Sequence, residues 1–429
     1  MKLRHWVSLA LALATAALLT ACGSGGNGSG SVRLVNATTD EASVDLYVDS
    51  NSVATGITTG AVGSYVGVSS GGHVIAVNRS NGGGTLSQSQ RAINKDSNYT
   101  LVAYGSNGAI GTVLMTDSQT APATGSVLVR VFNSSADAGP LDVYLTTAAA
   151  ASSLNTSLVT AGNIGSGQFT QYNQISTGTY TLTVTGTGNP SDVRLSVAGL
   201  ALADQSVLTL ILQPSPSGVL VGGLLVAQGG STTAAPLTSA RARVVASVAS
   251  NTAVSGSVGS TTVANGLGSP TVGQYVLIPT GSQTLTLSAG GTPVSNTGLT
   301  AVAGTDYTLL VTGTAAAPTL NIITDDNRLP TVTTQAKMRL INGVASQTSG
   351  ISLSANFAQV ASNVMPGNAS SPTLITAGTG YELDINSPQS IVPLYTTPQG
   401  GVTIVGQGVY TVFLLDGLSA PKGVPFRER

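Results

Sequence analysis

Charge is what this chain has least of. Only 8% of its 429 residues are Asp, Glu, Lys or Arg, against about a quarter in an ordinary soluble domain. So few cations cannot neutralise a run of phosphates, which argues against nucleic acid as a partner. Aromatic residues are scarce too, at 4%, which leaves little material for a stacking platform. The single cysteine, Cys22, excludes an internal disulfide and any Cys-based zinc site. The two histidines are His5 and His73. His5 stands in a basic, apolar leader, so a Ser-His-Asp triad in the body would have to use His73. No Gly-x-Ser-x-Gly elbow sits between a strand and a helix. Past the leader the glutamates are Glu41, Glu382 and Glu428, and Glu428 stands in the final residues, a thin supply for paired-carboxylate hydrolysis. These absences point away from an enzyme and imply no cofactor. A hydrolase is the weakest of the functional alternatives.

What is present begins with an export signal. Lys2, Arg4 and His5 precede an apolar run from Trp6 to Leu19, shorter than the roughly 20 residues a helix needs to span a bilayer. The segment ends Leu19-Thr20-Ala21-Cys22, which resembles the bacterial lipobox. That resemblance implies a leader over residues 1–21, cleavage before Cys22, and a diacylglycerol on its sulfur. Two acyl chains suffice for stable anchoring. Residues 22–31 are Gly, Ser and Asn after the cysteine and read as a flexible tether. Gly23, rather than Asp, follows Cys22, and by similarity to lipoprotein sorting in two-membrane bacteria this implies the outer membrane. Loss of Lys2 and Arg4 with the leader takes the formal charge from −1 to −3.

The remaining chain repeats. Val32-Arg33-Leu34-Val35-Asn36 and Val129-Arg130-Val131-Phe132-Asn133 open two units. Each continues to an Asp-x-Tyr strand, Asp45-Leu46-Tyr47 or Asp142-Val143-Tyr144. Arg243-Val244-Val245 and Arg339-Leu340-Ile341-Asn342 open two divergent units, with Ser255 and Ser257 standing in for Asp45 and Tyr47 in the third. A tyrosine recurs mid-unit (Tyr65, Tyr172, Tyr275, Tyr381). A more continuously apolar strand closes each unit: Tyr99–Ala103, Val207–Ile211, Tyr307–Val311 and Tyr410–Leu414, the pattern of a central strand. Short strands, frequent turns and a repeat of about 100 residues predict tandem immunoglobulin-like or transthyretin-like β-sandwiches rather than a solenoid, whose coils are about 20–30 residues. The expected units are 32–119, 126–228, 240–327 and 335–420, with a polar tail at 421–429. Linkers are expected at 120–124, 229–236 and 328–331, and one brief helix candidate at Ala148–Ala151.

The Arg-bearing first strand, the Asp-bearing loop and the Val-Asp-Leu-Tyr-Val strand resemble a bacterial family of secreted and surface-anchored domains of unknown function, numbered 4397. Arg33, Asp40, Asp45 and Tyr47 carry the similarity, as do Arg130, Asp137, Asp142 and Tyr144. So do Gly178–Val184 and Asp306-Tyr307-Thr308. The resemblance is good over residues 31–228 and thin beyond. It implies a β-sandwich outside the cytoplasm and no activity.

Three expectations concern polar residues. If the first two strands of a unit form one hairpin, Arg33 faces Asp45 and Arg130 faces Asp142 as cross-strand pairs. Asp325-Asp326-Asn327, beside a linker, reads as a solvated turn rather than a Ca²⁺ site, and so does Asp40-Glu41. His73 reads as a strand residue, and no metal site is expected. The function these readings favour is a non-enzymatic binding or spacer role at the cell envelope. The membrane is a partner through the lipid, and an envelope protein or polysaccharide is a further possible partner. Glycan capture and a structural subunit of an envelope assembly are the alternatives.

Overall fold

A computed structural model of the chain describes residues 28–106, 109–147, 154–155, 159–295, 298–418 and 420–429. The leader, Cys22 and the helix candidate at Ala148–Ala151 lie outside the described residues. The fold is all-β, and no helix occurs among those residues. Two compact units divide at about residues Gln119 and Thr120. The first unit holds one sandwich and the second holds three.

The first sandwich shows the plan. One sheet runs Val66–Ser69, Ser29–Thr38, Asn98–Ser106, Ala109–Thr116, and the other runs Asn51–Thr58, Ser43–Val48, Gly71–Arg79, Thr85–Ile93. Val32, Leu34, Val44, Leu46, Ile75, Val77 and Leu101 project inward from both sheets and form the core, as period-two alternation requires. The second, third and fourth sandwiches repeat the plan. Their first strands (Ser126–Asn133, Ser239–Val248, Gln335–Asn342) lie parallel to their closing strands (Val207–Pro214, Asp306–Thr314, Val409–Leu415). Those closing strands are central, and nearly every residue in them is buried.

Consecutive strands at the start of each unit do not pair. The first strand belongs to one sheet and the second to the other, so the chain crosses the sandwich between them. An asparagine fixes the crossing. Asn36 Nδ2 donates to the Glu41 carbonyl (3.0 Å) and the Ile57 carbonyl (3.1 Å). Asn133 Nδ2 donates to the Gly139 and Ile164 carbonyls (3.0 and 2.9 Å). Each amide closes off carbonyls that a buried crossing would otherwise leave unpaired. Three closing strands also carry a tyrosine whose hydroxyl accepts a backbone N–H five residues upstream: Asn94 to Tyr99, Val302 to Tyr307 and Val405 to Tyr410. These resemble the tyrosine corner of immunoglobulin sandwiches.

Two segments read as irregular in the sequence are strands. Thr232–Ala235, within the expected linker at 229–236, pairs with Val221–Ala227 as a sheet edge. Lys422–Arg427, within the expected polar tail, pairs with the closing strand of the fourth sandwich. Its Pro425 is tolerated because an edge strand needs no donor on its outer side.

The third and fourth sandwiches also share an apolar seam. Val245 and Leu310 from one, with Ile341, Phe413 and Leu415 from the other, form a buried cluster flanked by Ile323, Val424 and Phe426. In both sheets the face turned away from the sandwich's own core is therefore apolar, which explains the unbroken hydrophobicity of these closing strands.

Candidate functional site: an arginine cluster and its cleft

The first-strand arginines are buried or half-buried, and each is held in a similar way. Arg33 Nε donates to Thr100 Oγ1 (2.8 Å), and its guanidinium lies 4.7 Å from the centre of the Tyr65 ring. Arg130 donates to Thr209 (2.9 Å) over Tyr172 (4.7 Å). Arg243 donates to Thr308 (3.0 Å) over Tyr275 (4.4 Å). Arg339 donates to Thr411 (3.1 Å). Each threonine comes from the adjacent closing strand. Stacking on an aromatic face suits the weakly hydrated, planar guanidinium.

A residue at the end of the strand that follows the closing strand completes the cluster. Asp117 and Asp325 each accept hydrogen bonds from the framework tyrosine and threonine. Tyr65 and Thr100 donate to Asp117 at 2.6 and 2.5 Å, and Tyr275 and Thr308 donate to Asp325, both at 2.7 Å. Burial and the neighbouring Asp117 carboxylate push the Tyr65 hydroxyl up to about 12, so it stays a donor at any physiological pH. Backbone pairing puts Gln228 and Glu428 at the same place in the second and fourth sandwiches.

Between the third and fourth sandwiches these acids are exchanged. Asp325 Oδ1 accepts from Arg339 of the fourth sandwich (2.5 Å). Glu428 of the fourth accepts two hydrogen bonds from Arg243 of the third (2.7 and 2.6 Å). Both pairs are buried, with Arg243 fully enclosed. Arg241, two residues before Arg243, forms its own two-pronged pair with Asp306 (2.9 and 2.6 Å), and Asn327 donates to the same carboxylate (2.7 Å).

This cluster lines a cleft of about 430 Å³ where the second, third and fourth sandwiches meet. Asn189, Ser191, Asp192 and Arg194 come from the second, Arg241, Arg243 and Gly273–Tyr275 from the third, and Phe426, Glu428 and Arg429 from the fourth. Gly273 has to be glycine, because a Cβ there would meet the Val244 carbonyl oxygen at 2.6 Å.

The residues singled out in the sequence divide. Arg33 and Asp45 lie on opposite sheets, as do Arg130 and Asp142, so the expected cross-strand pairs do not form. The hairpin they presupposed does not exist. The aspartates instead accept backbone amides of the neighbouring strands and turns. Asp45 Oδ1 accepts Gly56 N–H (2.7 Å) and the Ser80 hydroxyl (2.5 Å), and Asp142 accepts the Asn163 and Gly188 amides (2.7 and 2.8 Å). Ser255 performs the same duty for Gly266 N–H (2.8 Å), which is how the third sandwich manages without the aspartate. Gly56, Asn163 and Gly266 all have positive φ, so each capped amide sits on a left-handed residue where the strand bulges.

The solvated-turn readings hold for Asp40, which is exposed, and for the partly exposed Asp326, and fail for the other three residues. Asp325 and Asn327 are buried in the cluster just described, and Glu41 is buried under a two-pronged ion pair with Arg79. No group of metal-ligating side chains occurs among the described residues.

His73 lies on a strand with both ring nitrogens engaged. Nδ1 is 2.6 Å from Asp49 Oδ2, and Nε2 is 2.7 Å from the Ser69 carbonyl. Ser69 Oγ is more distant, at 3.3 Å. Both acceptors are satisfied when both ring nitrogens are protonated, and Nε2 lies nearer the Ser69 carbonyl than the Ser69 hydroxyl. Ser69, His73 and Asp49 match a Ser-His-Asp triad in residue type, with Nε2 directed at the carbonyl rather than at the hydroxyl. The hydrogen bond to Asp49 holds the His73 imidazole above its ordinary value, against the downward pull of burial. A pKa raised by folding contributes stability that is complete below the unfolded value of about 6.5 and is lost as pH rises through the folded value. Val74 N–H donates to the same Asp49 carboxylate. Its protection from hydrogen exchange, corrected for intrinsic rate, is expected to fall as pH rises above about 6.5, and to stay flat in His73→Gln.

Fold and site together define an all-β protein of tandem sandwiches, each with a first-strand arginine held by its closing strand, the third and fourth joined through theirs. The sequence profile of the family described as Domain of unknown function (DUF4397) matches residues 30–144 and 240–348, over half of the chain, and the chain belongs to that family. Each match runs past one sandwich into the opening of the next, so each includes two first-strand arginines. The second match also reaches into segments whose motifs diverge most. No curated protein matches. Among solved structures, the family 26 carbohydrate-binding module of Eubacterium rectale Amy13K in complex with maltoheptaose is 12% identical, covering 48% of this chain and 95% of its own, at a TM-score of 0.15. The Bacillus anthracis TIE protein is 8% identical, with 88% and 66% covered, at 0.13. The pneumococcal glycogen-degrading virulence factor SpuA is 8% identical, with 86% and 38% covered, at 0.15.

Proposed function

We propose that this chain is a lipoprotein held on the outer membrane by a diacylglycerol on Cys22, and that its sandwiches are a non-catalytic spacer or binding module of the cell envelope. The observation that carries the reading of the body is the use to which it puts its few charges. Arg243, Arg339, Asp325 and Glu428 are consumed in joining sandwiches, and His73 is held by two acceptors. A body built this way resists bending where the third and fourth sandwiches join, as a spacer must, and leaves these groups engaged rather than poised for proton transfer. The membrane is its partner through the lipid, and an envelope protein or polysaccharide is the partner class for the body.

Anchoring is tested by mass spectrometry of the native protein. The expected product begins at Cys22 and carries the mass of a diacylglycerol, and Cys22→Ser moves the protein from the membrane to the soluble fraction. An unmodified thiol on a chain that keeps residues 1–21 would refute the reading.

A further inference from the structure

Four arginines line the cleft where the second, third and fourth sandwiches meet, and three of them have a side-chain carboxylate partner. Arg194 pairs with Asp192, Arg241 with Asp306 and Arg243 with Glu428. Arg429 pairs with none of them. Its Nη2 donates to the Asp137 carbonyl (2.5 Å), and its Nη1 is fully enclosed with no hydrogen-bond partner among the described residues. Two further guanidiniums, Arg194 and Arg241, act on it as like charges. With burial as the larger cause, they bring Arg429 down to about 10. Arg429 lines the cleft, and an enclosed guanidinium nitrogen without an acceptor is costly, so a ligand oxygen that reached this side chain would relieve that cost.

We infer that this cleft binds a small oxyanion, a carboxylate or phosphate carried by a ligand no larger than a monosaccharide, with Arg429 as its principal contact. The planar fork of a guanidinium matches either group with two parallel hydrogen bonds. The volume of about 430 Å³ exceeds that of a bare ion and lies in the range of small-molecule sites. Asn189, Ser191 and Gln274 at its wall offer neutral donors and acceptors suited to hydroxyl groups. Tyr275 is occupied beneath Arg241 and Arg243, so recognition is polar rather than by stacking. The inference concerns the body alone and does not depend on the anchoring.

The test is calorimetric titration of residues 22–429 carrying Cys22→Ser, in low-salt buffer free of phosphate. Glucuronate, inorganic phosphate and glucose are the probes. At least one of the two anions is expected to bind with a dissociation constant of about 1 mM or tighter, and glucose is not. Binding by glucuronate alone assigns a carboxylated sugar or acid, and binding by phosphate alone assigns a phosphorylated ligand. Arg429→Gln should weaken binding at least tenfold, and Arg429→Lys, which keeps the charge without the fork, should fall between. The inference is overturned if neither anion binds, if glucose binds as tightly as glucuronate, or if a folded Arg429→Gln protein binds like the parent. Should Arg429→Gln not fold, Arg194→Gln at the same wall replaces it, with a smaller loss expected and an unchanged affinity counting against the inference.

Discussion

Truncating Arg243 to alanine is expected to destabilise the second compact unit by about 3–5 kcal/mol, seen as a lower unfolding midpoint in urea and in calorimetry. Arg243 is fully enclosed. It stacks on Tyr275, lies 5.4 and 5.5 Å from the Phe413 and Phe426 ring centres, and makes three charged or polar hydrogen bonds. Its removal leaves the Glu428 carboxylate buried with no counter-ion, and that residual charge, more than the lost contact, sets the cost. The double variant Arg243→Ala/Glu428→Gln should therefore be more stable than the two single losses added together, by an interaction energy of about 1–3 kcal/mol. Simple additivity would mean that water reaches the pair and that the third and fourth sandwiches are not joined through it.

How much of this could be seen in the residues alone divides along a physical line. Alternation and apolar runs report which way a side chain faces, and they found the first strands, the closing strands and the sandwich class. They do not report which strand is the neighbour. Val32–Asn36 and Ser43–Val48 look like two arms of a hairpin, yet the chain between them crosses to the other sheet. The signal for that crossing was Asn36, a residue recurring as Asn133 and Asn342 whose amide has to satisfy carbonyls on both sides of a buried turn. Burial of charge is equally hidden. Asp325-Asp326-Asn327 and Arg427-Glu428-Arg429 have the composition of solvated ends. Only the docking of one sandwich on another brings Arg339 to Asp325 and Arg243 to Glu428. The recurrence of an arginine at each first strand, in a chain with so few charges, was the clue that these positions are structural. Gly273, lodged against the Val244 carbonyl, had no legible signal at all among 53 glycines.

Asp325 is the residue on which two sandwiches converge, and Asp325→Ala is expected to cost about 3–5 kcal/mol. Oδ2 satisfies Tyr275 and Thr308 in the third sandwich, while Oδ1 satisfies Arg339 in the fourth. Alanine strands an arginine on one side and two hydroxyls on the other. Asp325→Asn keeps the shape, but its amide nitrogen cannot accept, so one side must go unsatisfied. Its cost should be smaller, about 1–3 kcal/mol. The spatial pattern is more diagnostic than the total. Hydrogen exchange in Asp325→Ala should accelerate together in Asp306–Thr314 and in Gln335–Asn342, because each strand presents a donor to the missing carboxylate. Adding Arg339→Met should restore protection in Gln335–Asn342 and leave Asp306–Thr314 exposed, since the methionine needs no counter-ion while Tyr275 and Thr308 still lack their acceptor. If loss of protection stays within one sandwich in Asp325→Ala, the carboxylate is not shared, and the rigidity of this junction must come from the seam of Val245, Leu310, Ile341, Phe413 and Leu415 alone.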